Sequence, residues 1–206
     1  MLTIIDYEVG NLTSIKNMLE RIGFSNVIIS GKKEDIDAAN KLILPGVGHF
    51  DYGMAHLRNA SFFDLLNKKV LVDKTPILGI CLGAQLLLNG SEEGNTPGLG
   101  WIEGNSTKFS SEKLSPHLKI PHMGWNEVTP LKNSALLQDL PEDPRFYFVH
   151  SYHMTCKNPE NHLLSATYGY KFVAGVEKNN ILGVQFHPEK SHKYGMALLK
   201  NFVTNY

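Results

Sequence analysis

Apolar residues recur along the first half of the chain in two alternating rhythms. Short, solidly apolar runs at residues 2–6, 27–30, 42–44 and 77–80 read as buried strands. Between them, residues 11–22 carry Leu12, Ile15, Leu19 and Ile22 at helical spacing and stop at Gly23, a helix with a glycine terminator. Residues 34–39, 51–58, 62–71 and 82–88 supply further helices. Strands alternating with helices at this pitch predict parallel βαβ units with helices on both faces of the sheet. The second half is patterned differently. Residues 103–117 are polar and predict a strand-and-loop excursion, strands follow closely at 146–149, 163–167, 172–177 and 181–185, and a helix at 194–203 closes the chain. With no repeat, linker or low-complexity tract, residues 1–206 are expected to form one three-layer α/β domain around a mostly parallel central sheet.

Composition narrows the class. The 206 residues carry 20 basic and 20 acidic side chains, so no electrostatic field favours nucleic acid or an anionic membrane. The first six residues are apolar but lack a signal peptide's basic start and long core, and no run approaches a membrane span. The only cysteines, Cys81 and Cys156, are far apart and lack metal-like spacing, which argues against a disulfide framework or a zinc site. Cys156 falls in a loop-like stretch, residues 154–158, and reads as structural or incidental. A cytoplasmic enzyme subunit without a metal is the expectation.

Three segments carry candidate chemistry. Gly79-Ile80-Cys81-Leu82-Gly83 sets a cysteine between two glycines where a strand turns directly into a helix. Such a tight, strained elbow needs small neighbours, and a helix N-terminus favours the thiolate. A buried structural cysteine is the competing reading. In Val184-Gln185-Phe186-His187-Pro188-Glu189, alternation along an extended chain predicts His187 and Glu189 on one face, with Pro188 disfavouring helix at His187. The histidine would serve a thiol as base and then acid, oriented by the glutamate. A solvated strand end is the alternative. Leu44-Pro45-Gly46-Val47-Gly48 breaks a strand into a glycine-flanked loop whose N–H groups could face an oxyanion, or which could be an ordinary turn.

These segments, together with Ile5-Asp6-Tyr7, Gly10-Asn11-Leu12, Ser91-Glu92-Glu93-Gly94, Pro121-His122-Met123-Gly124-Trp125-Asn126, Phe148-Val149-His150-Ser151-Tyr152 and Gly183 to Ser191, resemble the class I, triad-type glutamine amidotransferases. The match runs almost end to end. It implies a flavodoxin-like fold and hydrolysis of L-glutamine to glutamate and ammonia by a Cys81-His187-Glu189 triad, with no cofactor. Gly46, Val47, Gly48 and Leu82 would form the oxyanion hole, and Gln85, Glu93, His150 and Ser151 would surround the substrate. Of these, Glu93 reads equally as a solvated helix end and His150 as a structural histidine. The Pro-Gly-Val-Gly and Pro-His-Met-Gly-Trp-Asn segments narrow the resemblance to glutaminase subunits that pass ammonia to a (β/α)₈-barrel synthase of histidine biosynthesis. Asn11, Trp125 and Lys190 would then lie near the docking face. Ala84, Glu8-Val9 and residues 191–195 depart from the commonest pattern but remove no catalytic group. A paralogous subunit feeding a sugar-modifying synthase of surface polysaccharides is the alternative, and a free-standing cysteine hydrolase or a non-catalytic scaffold are more distant ones. The Val47 peptide, between two permissive glycines, is expected to switch orientation with the partner's state.

Overall fold

A computed structural model describes residues 1–206. The strands are β1 (Leu2–Ile5), β2 (Val27–Ser30), β3 (Lys41–Leu44), β4 (Ile77–Ile80), β5 (Gly90–Ser91), β6 (Gly104–Lys108), β7 (His122–Glu127), β8 (Thr129–Pro130), β9 (Arg145–His150), β10 (Tyr152–Cys156), β11 (His162–Tyr168), β12 (Tyr170–Lys178) and β13 (Ile181–Val184). The helices are α1 (Leu12–Arg21), α2 (Lys33–Asp37), α3 (Phe50–Asn59), α4 (Phe63–Leu71), α5 (Leu82–Leu86) and α6 (His192–Asn205).

The main sheet has the order β2-β1-β3-β4-β13-β12-β10-β6-β5, with β11 joined at β12 and β8 at β11. The five strands from β2 to β13 are parallel, while β12, β10, β11 and β8 extend the sheet through antiparallel pairs. β7 and β9 form a separate antiparallel pair. The site-bearing core of the sheet therefore has the doubly wound 2-1-3-4-5 order, in which ligands gather at the carboxyl ends of the strands.

The solid apolar runs follow from burial on both faces. Alternation sends Leu2, Ile4, Ile43, Leu78, Leu182 and Val184 toward α1 and α6, where they pack with Ile15, Leu19, Leu198 and Phe202. Ile5, Leu42, Leu44, Ile77 and Ile181 face the other way and pack with Ile36, Met54, Leu57, Leu66 and Leu86 of α2 to α5. Helix α1 ends as its glycine predicts. Gly23 has φ +87°, its N–H bonds the Glu20 carbonyl, and the Phe24 N–H bonds that of Leu19, a full Schellman closure.

Three expectations are corrected. The stretch holding Cys156 is a strand, β10, and the thiol is half-buried, with burial pushing it up to about 11. α5 ends at Leu86, and Leu87 and Leu88 continue into a turn. β7 and β10 form where the apolar pattern gave no strand. No helix is long and apolar enough to cross a membrane.

Candidate active site

β4 and β13 run parallel and in register, Ile80 beside Val184, so the segments that continue from them leave the same edge of the sheet. The Cys81 N–H bonds the Val184 carbonyl at 2.8 Å, and the chain then turns into α5. Cys81 sits at φ 55°, ψ −112°, a conformation that costs an L-residue about 1–3 kcal/mol. The surroundings enforce it. A Cβ at Gly79 would come within 2.8 Å of the Ala84 Cα, and one at Gly83 would overlap the Leu44 carbonyl oxygen. The flanking glycines thus permit the close strand-helix contact that turns the thiol outward.

His187 Nδ1 lies 2.7 Å from Glu189 Oε1, with both side chains 2% exposed. The pairing arises otherwise than alternation predicts. β13 ends at Val184, and Glu189 sits in the 3-10 turn Pro188–Lys190. Pro188 holds His187 extended, at φ −103°, ψ 95°, and the turn folds the carboxylate back under the ring. Ser191 secures the turn, its hydroxyl donating to the His187 carbonyl at 2.6 Å and accepting from the Tyr147 N–H at 3.0 Å. Phe186 stacks on Phe146 at 3.9 Å, both fully buried. Burial of each ring stabilises this junction by about 1.5–3 kcal/mol. For His187, burial opposes the charged form, but the charge of Cys81 and the hydrogen bond and charge of Glu189 outweigh it and raise the imidazolium to about 10. Its Nε2 is buried without a hydrogen-bond partner, free to exchange a proton at the cleft.

A cleft of about 490 Å³ opens over these groups, lined by Val47, Gly48, Cys81, Leu82, Gln85, Glu93, His150, Ser151 and His187 among others. Leu82 begins α5, so its N–H has no partner within the helix. Val47 is 44% exposed, and Gly48, at φ +96°, has open space where a Cβ would project. Gly46 instead packs behind the cleft, where a Cβ would meet the Gly83 N at 2.7 Å and the Tyr7 hydroxyl at 2.9 Å. That hydroxyl, buried, donates to the Pro45 carbonyl and braces the loop. Glu93 reaches the cleft but commits Oε2 to the Phe50 N–H at the start of α3, 2.9 Å away.

Gln85 and His150 meet at one atom, the Tyr152 carbonyl, which only accepts. His150 Nδ1 donates to it at 2.7 Å, so the neutral ring's Nε2 accepts from His122 Nδ1, 2.9 Å away. His122 Nε2 then accepts from the Asn126 amide at 3.2 Å, which also donates to the Thr167 carbonyl. Gln85 Nε2 donates to the same Tyr152 carbonyl at 3.0 Å and to Gln185 Oε1 at 3.1 Å, leaving its own oxygen for a ligand. Gln185 is completely buried and turns its Nε2 to Cys81 Sγ at 3.9 Å.

The imidazoles of this cluster are neutral. Burial lowers His150 to about 3 and His122 to about 4, and shifts His153 the same way. The unfolded rings bind protons near 6.5 and the folded ones do not. Between those values the unfolded chain holds more protons, so stability falls on acidification, each ring adding a slope of up to about 1.4 kcal/mol per pH unit. The melting temperature should drop steeply from pH 6.5 toward 4, and less steeply in a His150→Gln variant. Equal slopes in the two proteins would refute this origin.

The three candidate docking residues are all exposed. Trp125, 45% exposed, stacks on His192 with centroids 5.6 Å apart, and its edge meets Tyr147. Lys190 Nζ lies 5.9 Å above the same Tyr147 ring, which joins the two residues in one patch. Asn11 is exposed at the start of α1, next to Gly10, whose Cα faces Pro45 and Gly46. Residue patterning did not single out Tyr7, Gln185 or Ser191. For Gln185 a signal existed, a lone amide inside the apolar run from Val184 to Phe186.

Known proteins resemble the chain in sequence and in fold. The glutamine amidotransferase class-I family pattern matches residues 3–206. Imidazole glycerol phosphate synthase subunit HisH 2 of Methanococcus maripaludis is 54% identical, and that of Pseudomonas aeruginosa 51%, each over 98% of both chains. Among solved structures, PurLQS from Thermotoga maritima superposes with a TM-score of 0.71 at 21% identity, over 98% of this chain and 96% of that one, a likeness of fold. On the family pattern that spans nearly the whole chain and on relatives about half identical to it, the chain belongs to the class I glutamine amidotransferases.

Proposed function

We propose that this chain is the glutaminase subunit of an imidazole glycerol phosphate synthase, working as a single domain in the cytoplasm for histidine biosynthesis. The observation that carries the chemistry is the convergence of Cys81 and the His187–Glu189 pair on one cleft. Cys81 attacks the side-chain amide carbon of L-glutamine as a thiolate. The Leu82 N–H and the Gly46-Val47-Gly48 loop stabilise the tetrahedral oxyanion, a contribution of several kcal/mol where the donors are preorganised. His187 then protonates the leaving ammonia, held in orientation by Glu189. Water, deprotonated by His187, hydrolyses the γ-glutamyl thioester and releases glutamate. Gln85 Oε1, Glu93 and mainly the backbone of His150 and Ser151 hold the substrate's polar ends.

The ammonia passes to a (β/α)₈-barrel subunit that makes imidazole glycerol phosphate and AICAR. The exposed Trp125–Tyr147–Lys190 patch and Asn11 support a docking face on this side of the chain's surface. The exposed Val47 peptide, flanked by Gly48 at φ +96°, supports a loop whose orientation the loaded partner sets. The test is glutamate release by the chain alone, with the co-purifying barrel, and with barrel plus acceptor. Rates are expected to rise at each step. Equal rates in all three would remove the switch, and no glutamate in any would remove the glutaminase.

A further inference from the structure

We propose that Gln185 is a positioning residue for the nucleophile: its amide is locked with the N–H side toward Cys81, where it stabilises the thiolate. The inference rests on Cys81 being the nucleophile and adds a group to that site. The orientation of the amide is forced by chemistry. The Tyr152 carbonyl has no proton to give, so the Gln85 amide nitrogen must face it, at 3.0 Å. The second N–H of that nitrogen then meets Gln185 at 3.1 Å, which requires the Gln185 oxygen there. Only the Gln185 nitrogen remains to face Cys81 Sγ, at 3.9 Å. A buried, unrotatable donor beside sulfur favours the charged thiolate over the thiol, as a hydrogen bond to any charged form does. The side chain is 0% exposed and sits in an apolar strand end, an expensive place for an amide with no task.

Other groups also act on this sulfur. His187 and Glu189 approach from the turn before α6, Tyr7 from the end of β1, and His49, Glu93 and His150 line the cleft. Gln185 differs from them in being neutral at every pH, so its effect is a constant offset.

The test is the pH dependence of Cys81 alkylation by iodoacetamide in the full chain, read on the Cys81 peptide by mass spectrometry. Cys156, pushed up to about 11 by burial, reacts little at neutral pH. Gln185→Glu keeps the acceptor for Gln85 but sets a carboxylate against the sulfur. Gln185→Met removes the donor at similar volume. Both should move the alkylation midpoint upward, Gln185→Glu by about one pH unit or more and Gln185→Met by less. The glutaminase kcat should fall at least about tenfold with little change in KM, because the loss is in the attacking group. Variants are compared only where circular dichroism matches the parent, and if Gln185→Met does not fold, Gln185→Glu decides alone. An unchanged midpoint in a folded variant overturns the proposal. Alkylation needs neither glutamine nor a partner, so this result stands apart from the glutaminase assignment, which fails separately if Cys81→Ala keeps its activity.

Discussion

Cys81→Ala should lower glutamine hydrolysis by about 10⁴-fold or more, since no second thiol lines the cleft. The fold should survive. Alanine keeps the Cβ, and the backbone at φ 55° is set by Gly79 and Gly83 rather than by the thiol. Ammonia-dependent turnover by the proposed synthase complex should therefore continue at close to the parent rate, because the exposed patch around Trp125 and Lys190 is untouched. Measuring glutamate release and ammonia-driven product formation on one preparation separates the two functions. Glutamate release near the parent rate would end the assignment of Cys81. Loss of both activities would mean that the elbow supports docking as well as chemistry.

His187 and Glu189 should differ in the size of their effects. His187→Ala removes the proton carrier and should cost about 10²–10⁴-fold in kcat. Glu189→Gln leaves the ring in place and keeps an acceptor, but removes a charge-assisted bond of about 1.5–3 kcal/mol, or about 10–150-fold in rate. The pH profile adds a direction. Burial opposes the His187 imidazolium, while Cys81 and Glu189 hold it up at about 10. Without the carboxylate the ring should release its proton at lower pH, and the alkaline limb of the rate profile should move down. A fully active Glu189→Gln variant with an unmoved limb would leave Glu189 a packing residue.

The parallel half of the fold was legible because burial on both faces writes itself as solid apolar runs. β2 and β4 begin and end where the pattern places them, at 27–30 and 77–80. β7 and β10 were not legible. Their sequences, His122-Met123-Gly124-Trp125-Asn126-Glu127 and Tyr152-His153-Met154-Thr155-Cys156, mix polar and apolar residues. The buried polar members are satisfied across strands, His122 by His150 and His153 by Tyr170, which no local pattern records. The cysteine, histidine and glutamate were visible as motifs, but the reason for the His187–Glu189 contact was not. Alternation pointed to a strand where a proline-led turn does the positioning. Gln185 escaped notice because its orientation depends on a carbonyl that lies elsewhere in the chain, at Tyr152.

The place of β13 in the sheet has a consequence for the chain as it is made. β13 leaves the ribosome after every other strand of this sheet, yet it lies between β4 and β12, joining the parallel strands to the antiparallel ones. Until it inserts, both neighbours present open edges, the form in which unfinished sheets recruit one another. The same insertion carries His187 to Cys81. A nascent or truncated chain therefore exposes its sticky edges and lacks its proposed base at the same time, so that the step that seals the sheet also completes the proposed triad.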